Sequence, residues 1–366
     1  MLISLLDGLD KQQFRLIVFL PCDGPLRDEL NKLDISVHIV PLLTLSRATL
    51  SLSALARMPF DILKSMRTMS RTLTGTKIDV VHSNTLAVIS GALWAMLKKI
   101  PHVWHVHEII EHPVWVSRLF PFLVRIFTTR VVCNSFATQK KLLSIQPALA
   151  TKSVVIWNGI SCLVPPCSHA VETFCQKLGL LPSHTLVALC GRINRWKGQD
   201  VLVDAATELY RKGERKIYYL IVGSPPSGQE HFRTSLKEQI SNSPAREMIK
   251  LLDFTNDISV VWTACDIAVV PSTEPEPFGL VAIEAMAAGK PVIAANHGGL
   301  PEIVQDGTTG ILVEPGNRTD LADAIKVLKN NSSLRKIMGN RGKVIQQDLF
   351  SISAYVSNFS ELYTRL

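Results

Sequence analysis

Twelve short apolar runs alternate with helix-patterned segments between Phe14 and Val313. Six lie in the first half: Phe14–Leu20, Ser36–Leu43, Ile78–His82, Val103–His107, Val131–Asn134 and Ser153–Trp157. Six lie in the second: Thr185–Cys190, Ile217–Val222, Ile249–Leu252, Ile267–Val270, Pro291–Ala294 and Gly310–Val313. Strands that keep returning through helices can pair only in parallel, because a parallel neighbour needs a crossover. The chain should therefore fold as α/β units with covered parallel sheets. Its 366 residues suffice for two cores, and 47% hydrophobic with 19% charged residues is a globular balance. We expect one domain over residues 1–162 and a second over 163–341. The Pro-bearing stretch Leu163–Pro182 is the bridge, and residues 342–366 read as a helical tail.

The formal charge of +8 is carried by one half. Residues 1–160 hold 18 Lys and Arg against 10 Asp and Glu, whereas 161–366 hold 21 of each. Two segments of the basic half mix cations with apolar residues. Ser51–Leu73 carries Arg57, Lys64, Arg67 and Arg71; Val114–Val132 carries Arg118, Arg125 and Arg130 among Trp115, Leu119, Phe120 and Phe122. Such segments either pack one face on a sheet or lie on an anionic membrane. Nucleic acid is the weaker reading of the same charge. Seven cysteines without a C-x-x-C pair point to a reducing compartment. The N-terminus lacks the basic lead of a signal peptide. We expect a cytoplasmic protein, peripheral at the inner membrane face.

Residues 272–299 carry the densest chemistry. Glu276 and Glu284 stand eight apart, separated by Pro277-Phe278-Gly279 and a helix-forming run from Leu280. With Pro277 as helix start and Gly289 as stop, free backbone N–H groups are expected at Phe278, Gly279 and Leu280. Such a helix tip attracts anions, most often phosphate. Glu284, about two turns in, would accept the two hydroxyls of a ribose. Arg192 and Lys197 follow a strand ending at Cys190, where ligands of open α/β sheets bind. Together they can clamp a diphosphate, Arg as a fork and Lys as a point charge. His105 and His107 alternate on one strand and point the same way, with His102 and His112 nearby. Asp and Cys are missing at ligand spacing, so no metal site is expected.

The string Glu276-Pro-Phe-Gly-Leu-Val-Ala-Ile-Glu284-Ala-Met-Ala-Ala-Gly-Lys-Pro-Val-Ile resembles the Glu-x7-Glu motif of family 4 retaining glycosyltransferases. Gly191-Arg192 with Lys197-Gly198, Cys265-Asp266 running to Ser272, Gly298-Gly299-Leu-Pro-Glu302 and Asp306-Gly307 to Gly316 follow in that family's order. The resemblance implies a GT-B fold, two facing Rossmann-like domains with the active site in the interdomain cleft. It also implies that the tail crosses back to the first domain. Gly191, Arg192 and Lys197 become the diphosphate clamp. Glu276 holds a hydroxyl of the transferred sugar, preferred over Glu274 because only Glu276 gives the spacing to Glu284. Leu252, Asp253 and Phe254 mark the base pocket, although the family often has Gly where Asp253 stands. His107 matches an N-domain His that contacts donor sugar or acceptor. The implied reaction is metal-independent, retaining transfer from a nucleotide-diphosphate sugar to a glycan or lipid-linked acceptor, with no cofactor. Two alternatives stand beside it: a sugar-nucleotide epimerase on the same fold, and an inactive sugar-nucleotide-binding protein. One departure favours the latter. Met1–Asp10 reads as the tail of a helix, so the family's central first strand and Gly-rich loop are not found.

Overall fold

The computed structural model describes residues 1–42, 52–85, 88–109, 114–255 and 257–366, without side chains for 52–56. Leu43, Ser51 and His112, named above, lie outside the described residues or at their margin. The chain divides into two compact units, Met1–Gly159 with Ile352–Leu366, and Ile160–Ser351.

The first unit runs α1 (Leu2–Gly8), β1 (Ile17–Leu20), α2 (Pro25–Lys32), β2 (Ser36–Ile39), α3 (Leu52–Thr72), β3 (Val81–Ser83), α4 (Ser90–Lys98), β4 (His102–Val106), α5 (Val114–Phe127), β5 (Arg130–Cys133), α6 (Phe136–Ile145) and β6 (Ser153–Val155). Alternation along the strands feeds two cores. Trp104 and Val106 of β4 and Val131 and Cys133 of β5 join Phe120, Val124 and Leu142 of the helices on one side. Val103 and Val132 face the other side, with Leu5 and with Tyr355 and Phe359 of the chain's last helix (Ile352–Thr364). The strands are parallel but form two sheets, β1-β2 and β3-β4-β5-β6. Among the described residues no ladder joins β1 to β3, so each has a free edge. Ile17 and Phe19 of β1 and Val81 of β3 nevertheless pack around one cluster, Val40, Met69, Leu73 and Trp94. β1 is correspondingly only partly buried along most of its length.

The second unit contains α7 (Ser168–Leu178), β7 (Thr185–Cys190), α8 (Gln199–Arg211), β8 (Ile217–Val222), α9 (His231–Asn242), β9 (Ile249–Leu252), α10 (Ile258–Ala264), β10 (Ile267–Val270), α11 (Leu280–Ala287), β11 (Val292–Ala295), α12 (Leu300–Ile303), β12 (Gly310–Val313), α13 (Arg318–Asn330) and α14 (Ser332–Leu349). Its six parallel strands lie in the order β12-β11-β10-β7-β8-β9. Every residue of β7 and β10 is buried, which is why both read as unbroken apolar runs.

Three expectations need correction. The stretch Leu163–Pro182 is not a plain bridge, since Ser168–Leu178 is helical and closes on Gly179 in the left-handed region. The tail does not begin at 342. α14 belongs to the second unit as far as Ser351, and only Ile352–Leu366 joins the first. Helix α11 starts at Leu280, not at Pro277. Gly279, with φ +117°, is its N-cap, and Phe278 is buried against Phe350 in an edge-to-face contact at 5.9 Å.

Candidate functional site

In the second unit the strand order reverses between β7 and β10. Loops leaving adjacent strands there diverge to opposite sides and leave a crevice at the carboxyl edge. The loop after β7 holds Gly191 to Lys197; the loop after β10 holds Ser272 to Gly279. They are tied together, Thr273 N–H donating to the Trp196 carbonyl at 2.8 Å. Asn194 Oδ1 accepts from the backbone N–H of Trp196 at 3.2 Å and of Lys197 at 3.1 Å, fixing the turn that aims Lys197.

Lys197 Nζ donates to Glu276 Oε1 at 2.5 Å and lies 4.4 Å from the Trp196 ring centroid. The same carboxylate oxygen accepts from Ser272 Oγ at 2.7 Å. Glu276 is 4% exposed, so a charged carboxylate is held in the protein because a cation and a hydroxyl are already there. Glu274, the competing position, is part-exposed and pairs with Arg195 at 2.8 Å. Behind the loop, Gly299 N–H donates to the Glu276 carbonyl at 2.8 Å, and His297 Nε2 donates to the Ser272 carbonyl at 2.9 Å. Arg192 is exposed and makes no ion pair with the described residues; its carbonyl accepts from buried Gln199 Nε2 at 2.9 Å.

The helix tip differs from expectation. With Gly279 as N-cap, the leading N–H groups belong to Leu280 and Val281, and Ala282 N–H is already bonded to the Gly279 carbonyl. Phe278 stands one residue before the cap, its ring turned into the core against Phe350. Glu284 stands about one turn into α11, not two. Burial raises its carboxyl above the usual range; the Trp262 indole N–H, close by without a full hydrogen bond, acts the other way.

At the far edge Leu252 ends β9, and Phe254 is 69% exposed. Asp253 is engaged by Arg233 of α9 and by Ser224 Oγ at 3.4 Å. The residues after β9 thus present an open aromatic ring beside an ion pair.

In the first unit His107 lies one residue beyond β4, at its carboxyl end. Its Nε2 donates to Asn84 Oδ1 at 3.4 Å, and its ring centroid is 3.9 Å from that of His105, as their shared orientation requires. Burial holds His107 down at about 4, so it is neutral at physiological pH. His82 joins this group at 5.5 Å from His105, whereas His102 turns to the opposite face, against Trp104 and Ser83. Among the described residues no group of His, Cys, Asp or Glu is arranged to hold a metal ion.

Ser272, Asn194, His297, Trp262 and Arg233 were not singled out in the sequence. Asn194 had a local signal, an Asx residue three before Lys197. Ser272 lies four residues before Glu276 in the same loop, and the others act across the fold.

Comparison with known proteins accords with this arrangement. The family described as Glycosyltransferase Family 4 matches residues 1–162, and that described as Glycosyl transferases group 1 matches residues 171–344. An uncharacterized glycosyltransferase of Methanocaldococcus jannaschii is 30% identical over 79% of this chain and 76% of its own length. A D-inositol 3-phosphate glycosyltransferase of Nocardia farcinica is 40% identical over 45% of the chain, which spans 37% of that protein. The crystal structure of Anabaena HepE in complex with UDP and glucose superposes with a TM-score of 0.83 at 27% identity, covering 100% of this chain and 95% of that one. The solved relatives share the pair of Rossmann-like units, the GT-B fold. By these matches along nearly its whole length, the chain belongs to the family 4 glycosyltransferases.

Proposed function

We propose that the protein is a retaining glycosyltransferase that moves a sugar from a nucleotide-diphosphate sugar to an acceptor hydroxyl. The observation that carries the reading is buried Glu276, held by Lys197 and Ser272 at the point where strand order reverses. The relative solved with UDP and glucose supports a sugar nucleotide as donor.

In this reading Gly191, Arg192, Lys197 and the N–H groups at the start of α11 receive the diphosphate. Cations already in place lower the barrier as charge accumulates on the leaving group. Glu284 accepts from the ribose diol, Leu252, Asp253 and Phe254 border the base, and Glu276 orients the transferred sugar. His107, neutral, supplies a hydrogen-bonding contact to substrate. The bond from the anomeric carbon to the donor phosphate breaks, and a bond to the acceptor oxygen forms on the same face. The acceptor proton passes to the leaving phosphate, and the nucleoside diphosphate departs. Side-chain cations and backbone N–H groups take the role a divalent ion plays elsewhere, so no metal or cofactor is required. A glycan or lipid-linked acceptor, as in surface polysaccharide or glycolipid assembly at the inner membrane face, completes the proposal.

The test is a panel of sugar nucleotides read by thermal stabilisation, followed by turnover of the best binder in EDTA. A ligand that binds the folded state raises its melting point with affinity. Stabilisation by one donor with retained anomeric configuration is expected. No stabilisation by any sugar nucleotide, or activity restored only by Mg²⁺ or Mn²⁺, would remove this assignment.

A further inference from the structure

The outer face of α5 is apolar where a surface helix should be polar. Its inner face, Ser117, Phe120, Pro121 and Val124, is buried in the first unit's core. Trp115, Leu119, Phe122 and Ile126 are 51%, 46%, 49% and 63% exposed. At 100° per residue these four fall within an arc of about 60°, centred about 180° from the buried face. The stripe is thus not an extension of the core but a second apolar face turned outward. Arg118 and Arg125, both exposed, lie together on one shoulder of it, and the helix holds no acidic residue.

The neighbouring helices repeat this chemistry. α3 exposes Phe60 at 68% and Leu63 at 44% beside Lys64 and Arg67. α4 packs against both α3 and α5 and exposes Leu97 at 66% beside Lys98. Across the three helices Asp61 is the only acidic residue. A protein interface usually has a charge-depleted core with a polar rim around it. Apolar side chains flanked on one side by cations instead match the two layers of an anionic bilayer. Acyl chains take the Trp115 to Ile126 stripe, and phosphates take Arg118 and Arg125.

We propose that α5 is a membrane-docking helix, inserting this stripe at the interface of an anionic bilayer while its inner face stays in the core. The proposal fits a lipid-linked acceptor but is read without turnover, so it stands or falls separately from the donor site. The test uses the full chain with vesicles of phosphatidylcholine alone or with one quarter phosphatidylglycerol. Co-sedimentation is expected with the anionic vesicles, weakening as salt screens the attraction. Trp115 emission should shift to the blue on binding, a change missing in Trp115→Phe. Phe122→Glu with Ile126→Glu, checked for folding by circular dichroism and melting point, should weaken binding at least about tenfold, since two large apolar groups no longer enter the interface. Equal binding to neutral vesicles, no binding, or full binding by the double variant would overturn the proposal. So would a wild-type dimer that the double variant converts to monomer, because the stripe would then be a contact between copies.

Discussion

Lys197 Nζ lies 2.5 Å from Glu276 Oε1 and joins the loops after β7 and β10 across the point where the sheet reverses its strand order. In the proposed mechanism the pair links the diphosphate-binding cation to the sugar-binding carboxylate. Truncating one member therefore does two things at once. Lys197→Ala should lower turnover by about 10²–10³ as a lost transition-state stabiliser. It should also lower the melting point, because it strands a buried carboxylate. Arg192 is exposed and forms no ion pair with the described residues, so Arg192→Ala should lose comparable activity with an unchanged melting point. Paired kinetic and thermal measurements separate the two. Equal melting-point losses would show that Arg192 is structural.

Glu284 gives a sign that runs against ordinary carboxylates. Burial raises its carboxyl above 4.5, so the folded state holds the proton more tightly than the unfolded chain. Stability from this group is present below 4.5 and is lost as pH rises through the folded value. Glu284→Gln should accordingly melt higher than wild type at pH 7, with the gap closing towards pH 4. Donor stabilisation should fall, because Gln cannot accept both ribose hydroxyls equally. A variant that melts lower at neutral pH would mean that the carboxylate is held by contacts stronger than its desolvation.

The buried histidines predict acid sensitivity of the first unit. Burial pushes His82 down to about 3 and His102 and His107 to about 4, and holds His105 well below 6.5. Their unfolded counterparts titrate near 6.5. Stability is therefore complete above 6.5 and falls as pH drops towards 4, where the unfolded chain binds protons that the folded unit refuses. Urea midpoints measured from pH 7.5 to 4 should decline through this window. His105→Leu should flatten the profile, since neither ring nitrogen of His105 has a hydrogen-bond partner among the described residues. An unchanged slope would locate the acid response elsewhere.

Local stability should differ sharply between the sheets. Among the described residues β1 and β2 pair only with each other, whereas β7 and β8 sit inside a six-stranded sheet. Amide hydrogen exchange should be markedly faster over Ile17–Leu20 than over Thr185–Cys190 in native buffer. Similar protection would mean that the free edges of β1 and β3 are covered in solution.

How much the sequence disclosed depended on whether a signal was local. β7 and β10 could be read from their unbroken apolar runs because both faces are covered, and β8, β9 and β12 likewise begin and end where expected. Four strands of the first unit came out shorter than their apolar runs, as at Phe14–Leu20, where only Ile17–Leu20 is strand, whereas β4 and β5 keep their length one residue earlier. Pro277 was a sound helix-start signal that lost to packing. Phe278 packs its ring against Phe350, and Gly279, with positive φ, turns the chain into the helix. Helix α7 had both its period and its Gly179 stop in plain view, masked by the prolines just before it. The Arg233–Asp253 pair could not be foreseen, because it joins a helix to a strand end through tertiary packing alone.

The backbone behind Glu276 has its own consequence. A Cβ on Gly298, which has φ +60°, would come within 2.4 Å of the Glu276 carbonyl oxygen and 2.6 Å of its nitrogen. One on Gly299 would come within 2.8 Å of the Pro277 carbonyl oxygen. The two glycines form a flush backplate, and the carboxylate stands wherever that plate lets the chain rest. Any side chain added there would act as a shim, moving the Glu276 carboxylate outward without touching an anion or a charge. In the proposed mechanism, aim at the reacting carbon is thus set from behind, by atoms that are missing.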